Sequence, residues 1–201
     1  MINLSELKII GLTGMSGAGK SAAAQIFAEH GFCAINCDKE ARKTIAHPLC
    51  AEAVKSVFPE AYTGGEFDKI KMARLVFSDS EKLKRYEKIV FPYITYYIIN
   101  YILRQAEKGV RNFLLDAPAL FQSGADDLCG EIIAITADKK TCARRITERD
   151  AISEADAFLR LNSQPGANFY RERAAHFIEN DSGFESFRKK VAEVIKKTGK
   201  K

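Results

Sequence analysis

Nowhere does the 201-residue chain carry a hydrophobic run approaching the ~18 residues that a membrane-crossing helix requires, so no such helix is expected. The opening stretch MINLSELKIIGLTG has charges of both signs and no small-residue cleavage site behind a long apolar run. It does not fit a secretory signal, and a cytoplasmic location is expected. Paired C-x-x-C spacing is missing too. The five cysteines, Cys33, Cys37, Cys50, Cys129 and Cys142, are odd in number, which argues against a disulfide framework or zinc site and for reduced thiols. There is no low-complexity block and no internal repeat. What remains is an ordinary globular composition, 46% hydrophobic and 28% charged, at a length suited to one domain with a core and an insertion. The positive excess is only +5, much of it in Lys189, Lys190, Lys196, Lys197, Lys200 and Lys201. A solvated helix face with a frayed tail accounts for that cluster better than a nucleic-acid surface. Neither a nucleic-acid nor a membrane partner is expected, and the chain is expected to be a monomer.

Lys8 to Thr13 is a short apolar run ending in a glycine-rich turn, the pattern of a buried parallel strand. A helix is predicted over Ser21 to His30, with Ala24, Phe27 and Ala28 on one face and Gly31 as its stop. A second strand follows over Phe32 to Asn36, which completes a βαβ unit. The middle of the chain reads as helical. Ser78 and Glu81 have the spacing of a capping box ahead of a helix to Ile89. Pro92 suits the first turn of a further helix, striped by Ile94, Tyr97, Ile98, Tyr101 and Ile102 and ended by Gly109. His47-Pro48 reads as a solvent-facing turn. Strand patterns return at Asn112–Asp116, Glu131–Thr136 and Ala175–Glu179. An arginine-bearing helical stretch lies over 139–164, and Phe184, Phe187, Val191 and Ile195 mark a closing amphipathic helix. Strands alternating with helices predict an α/β fold, a parallel sheet of about five strands covered on both faces.

The strongest motif is Gly14-Met15-Ser16-Gly17-Ala18-Gly19-Lys20-Ser21, which matches G-x-x-x-x-G-K-[ST]. Its glycines let the loop curl so that backbone N–H groups point at phosphate oxygens, and it runs into a helix N-terminus that favours an anion. Lys20 would reach the β- and γ-phosphates and the Ser21 hydroxyl would ligate Mg²⁺, with Ala22 continuing the ATP-binding segment. The string arises by chance in about one chain in a hundred of this length. Here a strand precedes it and a helix follows. An ATP site is therefore expected over Gly14 to Ala22.

Other residues carry two readings each. Asp38, just past the second strand, could accept a hydroxyl proton from an acceptor substrate or could cap the helix Lys39 to Ile45. Asp116 ends the run FLLD as a Walker B acid does when it serves Mg²⁺, directly or through water, yet an aspartate before Ala-Pro is also a turn former. Arg145 and Arg149 are one helical turn apart and could close over transferring phosphates, or pair on the surface with Glu148 or Asp150.

Taken in order, these segments resemble the dephospho-coenzyme A kinases along nearly the whole chain. GLTGMSGAGKS is similar to that family's first strand and P-loop, and INCDKEAR to its segment with an aspartate before Ala-Arg. MARLVFSDSEKLKRYEKIVFPYI is similar to its helical stretch ending in His-Pro-x-Ile, and DAPALFQSG to its Asp-x-Pro-Leu-Leu-Phe-Glu turn. RRITERDAISEADAFLRLNSQ resembles its lid, and AAHFIENDSG a segment near the adenine side. The resemblance implies one P-loop kinase domain over 1–201, a helical substrate-binding insertion over about 60–108 and a lid over about 139–174. It implies transfer of the ATP γ-phosphoryl group to the ribose 3′-hydroxyl of dephospho-coenzyme A. Asp38 would be the base, Lys20 and Arg149 would hold phosphate, Arg145 would contact ATP, and Ser21 and Asp116 would serve Mg²⁺. Four positions depart from the family pattern: Phe91 stands for its histidine, Gln122 for its acid, Ala175 for its aspartate and Tyr170 for its basic residue. They leave open another small-molecule P-loop kinase, or a nucleotide-binding protein without turnover.

Overall fold

The computed structural model describes residues 3–198; the side chain of Phe77 is outside the description, as are Lys200 and Lys201 of the basic cluster. In chain order the strands and helices are β1 (Lys8–Gly14), α1 (Lys20–Glu29), β2 (Cys33–Asn36), α2 (Cys37–Ile45), α3 (Pro48–Val57), β3 (Tyr62–Thr63) and β4 (Glu66–Phe67). Then come α4 (Lys69–Phe77), α5 (Ser80–Glu107), β5 (Asn112–Asp116), β6 (Glu131–Thr136), α6 (Lys139–Asp150), α7 (Glu154–Asn162), α8 (Ala167–Arg173), β7 (His176–Glu179) and α9 (Phe184–Lys197). The chain forms two compact units, one from the segments up to Asn36 and from Gln105 onward, the other from Cys37–Arg104.

The first unit is a five-stranded parallel sheet in the order β2-β5-β1-β6-β7, flanked by helices. All-parallel strands must be covered, which is why the runs of β1, β5 and β6 are apolar without alternation. Ile10, Leu12, Leu114, Ile133 and Ile135 are buried together with Ile26, Phe27, Phe187 and Val191 from the helices. The buried face of α1 is Ala23, Ile26 and Phe27; Ala28, expected inside, is exposed. In α9, Phe187, Val191 and Ile195 are buried as their spacing requires, but Phe184 is 57% exposed at the first turn.

The second unit has its own core, in which Cys50, Val54 and Phe58 join Met72, Val76 and Val90. Cys50 and Val54 come from α3 and Phe58 caps it, so this unit, which runs from Cys37, takes in α2 and α3 as well as the later helices. His47 closes a turn by donating its N–H to the Thr44 carbonyl (3.0 Å), and Pro48 is exposed, but the His47 side chain does not face solvent fully. It is half-buried ahead of Pro48 at the start of α3, its ring 5.3 Å from that of Tyr97. The helices expected on either side of Pro92 are one helix, α5. Pro92 removes the bond that would return to Lys88, a defect worth ~3 kcal/mol in a helix interior. Burial of Val90, Ile98 and Ile102 at ~1.5–3 kcal/mol each outweighs it. The start of α5 is capped by Asp79, whose Oδ1 accepts from the N–H groups of Glu81 (2.9 Å) and Lys82 (3.3 Å). Ser78, the expected cap, instead closes α4. No helix among the described residues is long and apolar enough to cross a membrane, and all five cysteines are free thiols.

Candidate active site

Central strand β1 delivers the glycine-rich loop to the carboxyl edge of the sheet, where open α/β folds collect ligands. Gly19 precedes α1 without any side-chain cap, so no capping side chain claims the first-turn N–H groups of this ten-residue helix, an end that favours an anion. Gly17 has φ +74°, and a Cβ there would lie 2.6 Å from the carbonyl oxygen of Cys142 in α6. Close packing of the loop on α6 thus requires glycine here. Met15 donates its N–H to the Ile135 carbonyl (3.1 Å), and Ala18 donates to the Met15 carbonyl (3.3 Å). The Lys20 ammonium folds back over the loop and donates to the carbonyls of Gly14 (2.9 Å) and Met15 (3.0 Å). Ser21 is exposed on the first turn of α1, and Ala22 lines a cavity of about 270 Å³ with Gly19, Arg145, Asn180, Phe184 and Phe187.

The structure brings Arg145 to this loop, while Arg149 pairs with its neighbour Asp150. Arg145 donates to the carbonyls of Gly17 (3.3 Å) and Asn180 (3.5 Å). Arg149 is bound to Asp150 through two bonds of 2.7 Å, and Arg160 from α7 meets the same carboxylate at 2.6 Å. The surface-pairing reading of Arg149 therefore describes the structure, with Asp150 as the partner. Hydrogen bonding from Arg149, aided by both positive charges, holds the Asp150 carboxyl down to about 2. Beside the loop, burial pushes the Cys142 thiol up, although Arg145 and Lys20 pull in the opposite direction. It stays a neutral packing residue.

Asp116 ends β5, nine-tenths buried, in register with Leu12 of β1 and Asn36 of β2, so it stands at the same sheet edge as the loop. Asp38 lies in the first turn of α2, exposed, with no hydrogen-bond partner among the described residues. Because the helix starts at Cys37, Asp38 is inside it and is not the cap of a helix beginning at Lys39. Its charge still favours a helix N-terminus.

Two residues at the loop carried no signal of their own in the sequence. The Gln164 side chain accepts from the Ser16 N–H (3.0 Å) and donates to the Ser16 hydroxyl (2.8 Å). Buried Asn180 donates to the Ala18 carbonyl (2.7 Å). Both are uncharged and act across more than a hundred residues, beyond the reach of local spacing; only the family segments containing them pointed here. Of the departures, Tyr170 is buried in the core, where a cation would be unpaired. The neighbouring Arg171 pairs with Glu179 at 2.6 Å and stacks over Phe177. Phe91 packs on the core of the second unit, while Gln122 and Ala175 are exposed.

A family model for dephospho-CoA kinase matches residues 8–186. A dephospho-CoA kinase from Fusobacterium nucleatum is 32% identical over 189 residues, covering 92% of this chain and 96% of the relative. Among solved structures, TT1252 from Thermus thermophilus superposes with a TM-score of 0.86 at 28% identity, covering 98% of this chain and all of that one. The dephospho-CoA kinase from Campylobacter jejuni gives 0.67 at 26% identity, covering 94% and 96%.

Proposed function

The chain belongs to the dephospho-CoA kinase family, and from that premise we propose that it transfers the ATP γ-phosphoryl group to the ribose 3′-hydroxyl of dephospho-coenzyme A, giving coenzyme A and ADP. The reading is carried by the extent of the match: residues 8–186 take in the phosphate loop and the whole of the unit 37–104 that bears Asp38. The likeness is thus more than a shared nucleotide loop.

The roles follow from donors and charges. The N–H groups of Met15, Ser16 and Ala18 already have partners, so phosphate contact falls to Gly17, Gly19, Lys20, Ser21 and Ala22. Lys20 exchanges two loop carbonyls for β- and γ-phosphate oxygens, a charge-assisted gain over neutral acceptors. Arg145 already stands at the loop and neutralises charge there, while Arg149 has to leave Asp150 before it can hold phosphate. Asp38 takes or orients the 3′-hydroxyl proton, a role worth ~10²–10⁴-fold in rate.

The donor set fits Mg²⁺. Among the described residues no cluster of three or more acidic, histidine or cysteine side chains forms a metal cage. Mg²⁺ needs none, because it takes one or two protein oxygens together with phosphates and waters. Ser21 and Asp116 supply oxygens of that kind. When bound, the ion offsets charge on the β- and γ-phosphates. The reading carries with it a cytoplasmic monomer without nucleic-acid or membrane partners.

The test is purified protein with MgATP and a panel of alcohols, dephospho-coenzyme A among them. Formation of ADP with 3′-phosphorylated product is expected. ATP binding without any such product, or preferential use of another acceptor, overturns the reading.

A further inference from the structure

Three successive loop residues are each held by a side chain from a distant segment. Gln164 accepts from the Ser16 N–H (3.0 Å), Arg145 donates to the Gly17 carbonyl (3.3 Å), and Asn180 donates to the Ala18 carbonyl (2.7 Å). Asn180 is itself anchored. It is 6% exposed, its N–H donates to the Thr136 carbonyl at the end of β6 (2.8 Å), and its own carbonyl accepts from Arg145 (3.5 Å). Its amide nitrogen lies so close to the loop that a Cβ on Gly19 would stand 2.5 Å from it. The sheet thus carries a strut to the Ala18–Gly19 peptide.

The orientation of that peptide decides what an anion meets. In a trans peptide the C=O and N–H point in opposite directions, and no described peptide bond is cis. With the Ala18 carbonyl turned to Asn180, the Gly19 N–H points away from it and has no partner among the described residues. Glycine alone does not hold this arrangement. Gly19 sits at φ +112°, and a half-turn of the peptide would bring φ into the ordinary negative range, which glycine accepts as readily. The flipped peptide would aim a carbonyl oxygen at the phosphates in place of an N–H. A donor fixed on the Ala18 carbonyl opposes that state, because the flip takes this acceptor from the buried Asn180 amide.

We propose that Asn180 is a positioning residue for phosphoryl transfer: by pinning the Ala18 carbonyl it fixes the Gly19 N–H as a phosphate donor. The proposal rests on the phosphate contacts assigned above and on no feature of the acceptor. Asn180 acts through the loop backbone, without a phosphate contact of its own. ATP then meets an N–H that is already oriented and does not have to turn it, the condition under which a backbone donor stabilises charge most effectively.

Calorimetric titration with MgATP tests this without any acceptor. Asn180→Leu, similar in shape but lacking the donor, should bind MgATP ~10-fold more weakly than wild type while remaining folded at the assay temperature. Asn180→Asp gives a readout that lost packing would not move. Protonated at acid pH, which burial favours, its carboxyl can donate to Ala18; ionised, it sets oxygen against oxygen. Its MgATP affinity should exceed that of Asn180→Leu at about pH 5.5 and fall below it at about pH 8. A measurement on the wild type covers the case in which neither variant folds: MgATP should slow exchange of the Gly19 amide hydrogen. Wild-type affinity in folded Asn180→Leu, equal affinities of the two variants at acid pH, or Gly19 exchange unaffected by saturating MgATP overturns the proposal. A wild type that binds no MgATP strikes the kinase reading and this proposal together. One that binds MgATP without phosphorylating dephospho-coenzyme A strikes the acceptor assignment alone.

Discussion

Replacing Gly17 by alanine separates two reasons for a glycine in the phosphate loop. The first is conformational: at φ +74° an L-residue pays ~1–2 kcal/mol. The second is contact, because the added Cβ would stand 2.6 Å from the Cys142 carbonyl oxygen and 3.0 Å from its Cα, both backbone atoms that cannot rotate away. Relieving such overpacking costs a further ~1–3 kcal/mol. It also pushes the loop away from α6, the helix that places Arg145 against the Gly17 carbonyl. Gly31 is the control. It has φ +82° with nothing within 4 Å of its would-be Cβ, so Gly31→Ala carries the conformational cost alone. At ~2–4 °C per kcal/mol for a chain of this size, Gly31→Ala should melt ~2–8 °C below wild type and Gly17→Ala ~4–20 °C below. Titration calorimetry should show ATP affinity intact in Gly31→Ala and reduced at least ~10-fold in Gly17→Ala, a change of ~1.4 kcal/mol. If Gly17→Ala melts with the control and binds ATP normally, packing on α6 does not constrain the loop and the reasoning fails.

Asp38→Asn should lower kcat by ~10²–10⁴-fold while ATP affinity stays within about twofold; an unchanged kcat would leave Asp38 no part in the chemistry. Gln164→Leu leaves the Ser16 N–H without its acceptor, and since water reaches this part-buried site the cost should sit near ~1 kcal/mol, seen as a several-fold rise in KM for ATP. An unaltered KM would mean that the contact is incidental. The Asp150 carboxyl, lowered below its ordinary value, stabilises the α6–α7 junction above that value and loses this contribution as pH falls through about 2. A carboxyl NMR titration should find that midpoint in wild type and an upward move in Arg149→Ala. Finally, ATP should slow amide exchange over 139–174 as Arg149 exchanges Asp150 for phosphate; identical exchange with and without nucleotide would argue against lid closure.

Some of the fold was legible because its causes are local. The apolar run of β1, the glycines after it and the open N-terminus of α1 lie within about two dozen residues and require one another, so GLTGMSGAGKS specifies its own conformation. Asp116 was placed at a strand end for the same reason. The helical character of the middle segment was also local, but its division was not. Whether Pro92 starts a helix or sits inside one depends on how much apolar surface is buried on either side, and Val90, Ile98 and Ile102 decide for continuity. Likewise Asp79 takes the cap from Ser78 because α4 runs on to Phe77 and uses Ser78 at its own end.

By itself, then, the sequence determined the phosphate loop, the parallel sheet and the order of family segments, all set by neighbours along the chain. Tertiary structure alone decided that Gln164 grips Ser16, that Asn180 supports Ala18, that Arg145 faces the loop while Arg160 of α7 joins Asp150, and that α2, α4 and α5 leave a cavity beneath two cations. The physical reason is range. Backbone conformation is fixed by adjacent residues, whereas the partner of a polar side chain is fixed by which distant segment folding brings within about 3 Å.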